Sequence, residues 1–156
     1  MGSASVPLFV YGSVVVIGRI TFAKVTDRLP PLPLGAASLG VIAVGLVVTA
    51  SWSAPAGVVL GAALLALGVV FSTPAFFSAV FATATPSQRG AAAGTASAFL
   101  DLGLGGGPVL LGFVAQAAGI PWAFGVAAGV AAAGSAWTML LARAGAIDSD
   151  AHVRAR

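Results

Sequence analysis

The feature that most constrains this chain is the absence of any Asp, Glu, Lys or Arg between Arg28 and Arg89. A membrane-spanning helix needs about 20 predominantly apolar residues, so this stretch has room for two such helices. Across all 156 residues, hydrophobic side chains make up 59% and charged side chains only 7%, whereas soluble domains carry about 25% charged residues. The sequence therefore predicts an all-α membrane protein with several transmembrane helices.

Proline and charged residues mark the ends of five apolar spans. Pro30, Pro31 and Pro33 cannot continue a helix and so end the first span, whereas Pro55 and Pro121 suit the first turn of later helices. The predicted spans are residues 6–26, 34–51, 56–82, 90–118 and 121–142. We expect one transmembrane domain over residues 1–144 and a polar cytoplasmic tail over residues 145–156.

The basic residues indicate the orientation of these spans. Lys24 and Arg28 flank the first turn, Arg89 flanks the third, and Arg143 follows the last span, whereas the second and fourth turns carry no charge. Because short cytoplasmic loops carry an excess of Lys and Arg, we expect the N-terminus outside the cell and the C-terminus in the cytoplasm. The expected location is the plasma, or inner, membrane.

Helix-start signals precede the fourth span. Thr85 can cap a helix, Pro86 suits its first position, and Gln88 stands where a capping box has its last residue. A helix that begins at Pro86 would place Asp101 about 22 Å along its axis, near the middle of a hydrocarbon core about 30 Å thick. A carboxylate at this depth is costly, so it indicates either a transport site or a packing contact.

A cluster of glycine and proline follows Asp101. Its main members are Gly103, Gly105, Gly107 and Pro108. We expect this cluster to interrupt the helix and to need protein neighbours for the freed backbone groups. Pro74 is expected to kink the third span, beside phenylalanines that line a substrate path or face lipid. Glycine pairs four residues apart, such as Gly57 and Gly61, are weaker indicators of helix packing because the chain has 21 glycines.

Two further groups of charged residues have alternative interpretations. The Arg19 side chain either extends along its helix to the cytoplasmic interface or faces an internal cavity. Asp27 either belongs to a solvated helix end with Lys24 and Arg28, or docks as a latch on the positive N-terminus of another helix. The residues alone leave these alternatives open.

The end of the first span resembles the loop motif between helices 8 and 9 of the major facilitator superfamily of transporters. The pattern is Arg19-x3-Ala23-x-Val25-x-Asp27-Arg28. This resemblance implies that Lys24, Asp27 and Arg28 belong to a cytoplasmic gating loop, and that Arg19 contributes to gating or to the transport path.

The fourth span resembles helix 11 of the same family. Its first turns, with Arg89, Gly90 and Gly94, are similar to the cytoplasmic start of that helix, and residues 99–112 are similar to its body in the drug and sugar efflux branches. The five spans then correspond to helices 8 to 12 of twelve. The resemblance implies a partial C-terminal half of the fold, without helix 7 and without the N-terminal half.

The family resemblance also implies a function. Such proteins move a small molecule, here a drug or a sugar, by alternating access of two helical halves about a central site. The efflux branches imply proton coupling, for which Asp101 is the leading candidate. The chain by itself is expected to be inactive, and its partners would be the lipid bilayer and either the missing half or another membrane chain.

Other classes of function are weighed against the transporter. A membrane scaffold or assembly subunit without its own transport path is the main alternative. An intramembrane enzyme is disfavoured because the spans contain no His, no Cys and no second acid with which Asp101 could form a catalytic pair. His152 alone cannot hold a metal ion, no cofactor is expected, and the few basic residues indicate membrane topology and not nucleic-acid binding.

Overall fold

The computed structural model describes the backbone of residues 5–26, 29–52 and 54–154, and the side chains of those residues except 23–26 and 146–154. The described residues form five α-helices: α1 (Ser5–Thr26), α2 (Pro31–Ser51), α3 (Pro55–Thr83), α4 (Arg89–Ala118) and α5 (Ile120–Arg154). Each of the five is long and apolar enough to cross a membrane. The predicted all-α fold with five membrane-spanning helices is therefore confirmed.

Proline and glycine set several helix ends. Pro31 and Pro55 begin α2 and α3, where a fixed φ and a missing N–H carry no penalty. Gly119 ends α4 with φ 96°, and its amide donates a hydrogen bond to the Ala115 carbonyl at 2.9 Å. This left-handed conformation favours glycine because any Cβ would be strained there.

The start of α4 differs from the predicted capping box. Pro86–Gln88 form a short 3₁₀ turn, and α4 proper begins at Arg89. The Thr85 hydroxyl donates to the Gln88 side-chain oxygen at 2.9 Å and caps no backbone N–H. In this tighter turn the Gln88 N–H donates a hydrogen bond to the Thr85 carbonyl at 2.9 Å. The backbone itself therefore satisfies this N–H, and no side-chain cap is needed.

The expected interruption after Asp101 is absent. Helix α4 continues from Arg89 to Ala118 with Pro108 inside it, and α3 likewise continues through Pro74. A proline removes only one hydrogen bond of the helix ladder, and the helical residues on both sides keep the remaining bonds.

The last helix continues beyond the predicted membrane span. That span was expected to end at Ala142, and the backbone of α5 is helical to Arg154. The physical reason is that the sequence after Arg143 becomes polar without containing a proline. A change in polarity marks the edge of the membrane, but it does not by itself end a helix.

Helix α2 is the centre of the bundle. It packs against both α3 and α5, whereas α1 packs against α3, and α4 contacts α5 and to a smaller extent α3. Small residues bring α2 and α3 close together: a Cβ added to Gly61 would overlap the Thr49 hydroxyl, and one added to Gly68 would lie 2.8 Å from the Ser38 carbonyl oxygen. Small residues of this kind let two helix backbones approach closely within a membrane.

A hydrogen bond joins α2 to α5. The Ser135 hydroxyl donates to the Ala36 carbonyl at 2.7 Å, and Gly134 packs beside Leu39. The buried hydrophobic residues of the described chain are seven alanines and one valine: Ala36, Ala43, Ala66, Val70, Ala75, Ala96, Ala123 and Ala128. Large apolar side chains therefore lie mainly on the outside of the bundle, as expected for a protein whose solvent is lipid.

Candidate functional site

Three helices meet at one end of the bundle. Pro31 at the start of α2, Thr83 at the end of α3 and Leu141 in the second half of α5 all line the same cleft. Arg89 follows α3 through a short turn, and Arg143 lies two residues beyond Leu141. We call this the basic end of the bundle.

The rest of the predicted gating loop is described only in part. The backbone of Lys24 lies in the last turn of α1. The Lys24 side chain is outside the part of the chain that the structure describes, and so are Asp27 and Arg28. Because only four residues separate α1 from the start of α2 at the basic end, the backbone of Lys24 lies near the same end. Arg89 and Gly90 line a shallow recess there with Ser78, Phe81 and Ala82 of α3.

The cleft at the basic end lies between four of the described helices. It has a volume of about 520 Å³ and is lined by Leu39 of α2, Phe76 of α3, Leu100 of α4 and Leu141 of α5, among others. Ligand sites commonly have volumes of about 300–1,000 Å³. The described residues that line it include no charged side chain, so the cleft suits an apolar group.

The polar groups of the cleft are hydroxyls, most of which are already bonded. Thr83 donates to the Val80 carbonyl at 2.9 Å and Thr138 to the Gly134 carbonyl at 2.8 Å, each within its own helix. Ser72 forms a longer bond of this kind, at 3.4 Å to the Val69 carbonyl. Such bonds satisfy the hydroxyl proton, so the walls present little unsatisfied polarity to a ligand.

Asp101 lies outside this cleft. Its neighbour Leu100 lines the cleft, whereas Asp101 is exposed on another side of α4. It shares that side with Gly90, Gly94, Ser97 and Gly105, which follow helical spacing and are all exposed. We call these five residues the open face of α4, and within the described chain Asp101 forms no hydrogen bond or ion pair.

Arg19 and Asp101 are not brought together. Arg19 is exposed on α1, next to Gly18, which is buried against Val70 of α3. Helices α1 and α4 do not contact each other among the described residues. Any joint role of the two charges would therefore require a further element between or around them.

The packing and kink candidates differ in their surroundings. A Cβ added to Gly103, Gly105 or Gly107 would meet no atom within 4 Å, and Pro108 is exposed. Near Pro74, Phe76 lines the cleft, whereas Phe71 packs against Phe22 of α1 with ring centroids 5.4 Å apart. Only part of the phenylalanine group therefore faces a possible ligand.

Sequence reasoning missed the cleft itself. Its lining combines Leu39, Thr73, Leu100 and Thr138, which belong to four helices and follow no local motif. The Gly57/Gly61 pair did signal part of the α2–α3 contact, since Gly61 packs on Thr49 and Gly57 packs on the Trp52 side chain. In the part of the chain that the structure describes, no group of three His, Cys, Asp or Glu could hold a metal ion.

Comparison with known proteins identifies the family. The sequence profile of the Major Facilitator Superfamily matches residues 2–153. The chain belongs to this superfamily. An uncharacterized MFS-type transporter of Burkholderia mallei (strain SAVP1) is 36% identical to it over 141 residues, which are 89% of this chain and 34% of that protein. A relative from Burkholderia pseudomallei (strain K96243) has the same identity and coverage.

A relative from another genus is also similar. An uncharacterized MFS-type transporter of Pseudomonas aeruginosa (strain LESB58) is 38% identical over 111 residues, or 70% of this chain and 27% of that protein. The chain thus spans about a third of the length of the curated relatives it matches. No solved structure matches it. Because these relatives are named as transporters, the comparisons do not favour the scaffold alternative.

Proposed function

We propose that this chain is the C-terminal portion of a major facilitator-type secondary transporter that moves a small molecule across the plasma membrane by alternating access. Family membership and the coverage of about a third of each relative support this proposal. The observation that carries it is the open face of α4. A carboxylate on the exposed side of a helix that is apolar enough to cross a membrane needs a partner or a water-filled path, because exposure to lipid is costly.

The chain alone supplies one wall of such a path. In this transporter class the substrate binds between two helical halves that rock about it. The open face of α4 has no neighbour within the described chain, since a Cβ added to Gly90, Gly94 or Gly105 would meet no atom within 4 Å. The missing half, either on the same polypeptide or on a partner membrane chain, would supply the opposite wall.

Asp101 is the proposed coupling residue. It is exposed on α4, and it is the only acid among the described side chains. In an alternating-access cycle this carboxylate would face the two sides of the membrane in turn and would carry a proton from one side to the other. This exchange would couple proton entry to efflux of a drug or a sugar.

The basic end is the proposed gating region. Arg89 and Gly90 line a recess at the start of α4, and Arg19 is exposed on α1. Lys24, Asp27 and Arg28 would complete the gate through contacts with the missing half. Because positively charged ends remain in the cytoplasm, the basic end faces inward and the N-terminus faces outward.

The test is Asp101→Asn in the complete transporter, with Asp101→Glu as the matched control that keeps the charge. Efflux of ethidium, an amphipathic dye, and of lactose, a disaccharide, is measured in vesicles with and without a proton gradient. We expect the Asn variant to lose gradient-driven efflux while the Glu variant keeps a measurable part. Unchanged gradient-driven efflux in the Asn variant would remove Asp101 from the coupling mechanism.

A further inference from the structure

We propose that the cleft at the basic end binds an uncharged, mainly apolar small molecule that carries one hydroxyl group, and that the Thr73 side chain holds this hydroxyl. The site lies between helices of this chain and does not use the open face of α4. It therefore does not depend on the proposed function, and Asp101→Asn should leave it unchanged.

The walls of the cleft select an uncharged and mainly apolar molecule. Leu39, Leu100 and Leu141 line it from α2, α4 and α5, and Phe76 lines it from α3. Its volume of about 520 Å³ is within the range of small-molecule sites. Because none of the described lining residues is charged, an ionised ligand would lose its hydration without gaining an opposite charge.

Most hydroxyls of the cleft are already bonded within their own helices. Thr83 donates to the Val80 carbonyl at 2.9 Å, and Thr138 donates to the Gly134 carbonyl at 2.8 Å. A sugar carries several hydroxyls and would leave part of them unpaired between such walls. The cleft therefore disfavours a polyhydroxylated ligand as well as a charged one.

Thr73 is the exception among these hydroxyls. It lines the cleft, it is half-buried, and its side chain forms no hydrogen bond within the described chain. The adjacent Ser72 hydroxyl donates to the Val69 carbonyl at 3.4 Å, which is longer than usual for a bond between two oxygens. These two neighbouring hydroxyls can bond to a ligand, whereas a pure hydrocarbon would leave them unpaired.

The position of Thr73 gives the ligand an orientation. Thr73 and Thr83 both line the cleft, and the rise of an α-helix separates them by about 15 Å along the axis of α3. Because Thr83 ends α3 at the basic end, Thr73 marks the inner end of the cleft. The bound molecule would place its hydroxyl there and its hydrocarbon part beside Phe76 and Leu141, toward the basic end.

The test is photolabelling of the protein as the cell makes it, reconstituted in phosphatidylcholine nanodiscs. The probe is azioctanol, an octanol that carries a photoreactive diazirine, and its matched controls are azioctane, which lacks the hydroxyl, and azioctanoic acid, which is charged. Mass spectrometry of the digested protein measures which residues are labelled. We expect saturable labelling of Leu39 and Phe76 by the alcohol, displaced by excess octanol and stronger than labelling by either control.

Thr73→Val tests the hydroxyl, because valine keeps the branched shape of threonine and removes its hydrogen-bonding group. The preference of the cleft for azioctanol over azioctane should fall about five-fold, the contribution of one ordinary hydrogen bond. Thr95→Val, at an exposed position of α4 outside the cleft, is the matched control and should not change the preference. Labelling of Asp101→Asn should equal that of the unchanged protein, so the coupling role of Asp101 can fail without affecting this test.

A second pair of variants tests the space itself. Ala79→Trp fills the cleft and should abolish labelling of Leu39 and Phe76, whereas Ala37→Trp, on an exposed side of α2 outside the cleft, should be labelled as the unchanged protein is. Circular dichroism checks that both variants remain helical, and Thr73→Val tests the site without this packing change.

Four results would overturn the proposal. Absence of label from the cleft would show that the space is filled in the protein as the cell makes it. Equal, unsaturable labelling by azioctanol and azioctane would indicate partition of hydrocarbon from the bilayer. An unchanged preference in Thr73→Val would remove Thr73 from the site, and full labelling of Ala79→Trp would place the bound molecule outside the cleft.

Discussion

At the scale of single residues, the same amino acid has opposite roles in different parts of this bundle. Gly61 lies where α3 meets α2, and a Cβ there would overlap the Thr49 hydroxyl and lie 2.9 Å from the Gly45 carbonyl oxygen. Gly129 of α5 belongs to a similarly spaced glycine pair, yet a Cβ there would meet no atom within 4 Å. The spacing of the pair is the same, and only the neighbouring helix distinguishes them.

This contrast predicts different effects of the same substitution. Gly61→Ala should lower the free energy of unfolding by about 1–3 kcal/mol, because the backbone of α2 must move to admit the methyl group. Gly129→Ala, the matched control, should be neutral or raise it by up to about 1 kcal/mol, because alanine favours a helix more than glycine does. Denaturant titration in detergent micelles measures both, and equal effects would contradict the α2–α3 contact described here.

At the scale of secondary-structure elements, α4 is the helix least covered by the rest of the described chain. Ala96 is its one buried residue, whereas α2 buries Ala36, Ser38, Ala43 and Gly45. Helix α4 could be predicted from its length and its apolar composition. Its continuity through Pro108 could not, because a proline in a sequence is compatible with either a break or a tolerated gap in the hydrogen-bond ladder.

The chain contains no cysteine, so single introduced cysteines report directly on this difference. Ser97→Cys on the open face of α4 should react with a maleimide in the isolated chain, and Ala43→Cys in the core of α2 should not, because Ala43 is only 8% exposed. In the complete transporter, the second half should slow the reaction at Ser97→Cys and leave Ala43→Cys unchanged. Equal reactivity of Ser97→Cys in both contexts would argue against a partner on this face.

At the scale of the whole molecule, the charges and the helix directions agree with one another. Pro31, Thr83 and Leu141 line one cleft, so the helix ends that carry or precede Arg89 and Arg143 meet at the same end of the bundle. The number of predicted spans was enough to predict that these charges lie on one side of the membrane. The antiparallel contact of α2 with α3 and α5, in which Gly35 lies near Ala75 and Thr138, is compatible with that count.

The orientation in the membrane can be tested with reporter fusions. Alkaline phosphatase, which is active only outside the cytoplasm, should be active when fused after Trp52 or Gly119 and inactive when fused after Arg143. Green fluorescent protein should show the reverse pattern. The expectation follows from the excess of basic residues on cytoplasmic loops, and an active phosphatase after Arg143 would reverse the proposed topology.

The composition of the chain and the positions of its prolines determined most of the fold class. The low charge, the apolar runs and the prolines at helix starts are local properties, and in a bilayer they require helices because every backbone polar group must be satisfied within its own segment. The family motifs are also local, and they led to the superfamily that the comparisons identify.

Only the tertiary structure decided which side of each helix has a neighbour. It placed Leu100 in the cleft and Asp101 on the open face of α4, although the two are adjacent in sequence, and it selected Gly61 over Gly129 as a contact residue. The physical reason is that nearly every side of these helices is apolar, so hydrophobicity does not distinguish lipid from protein. Close packing of small residues does, and it depends on the partner helix.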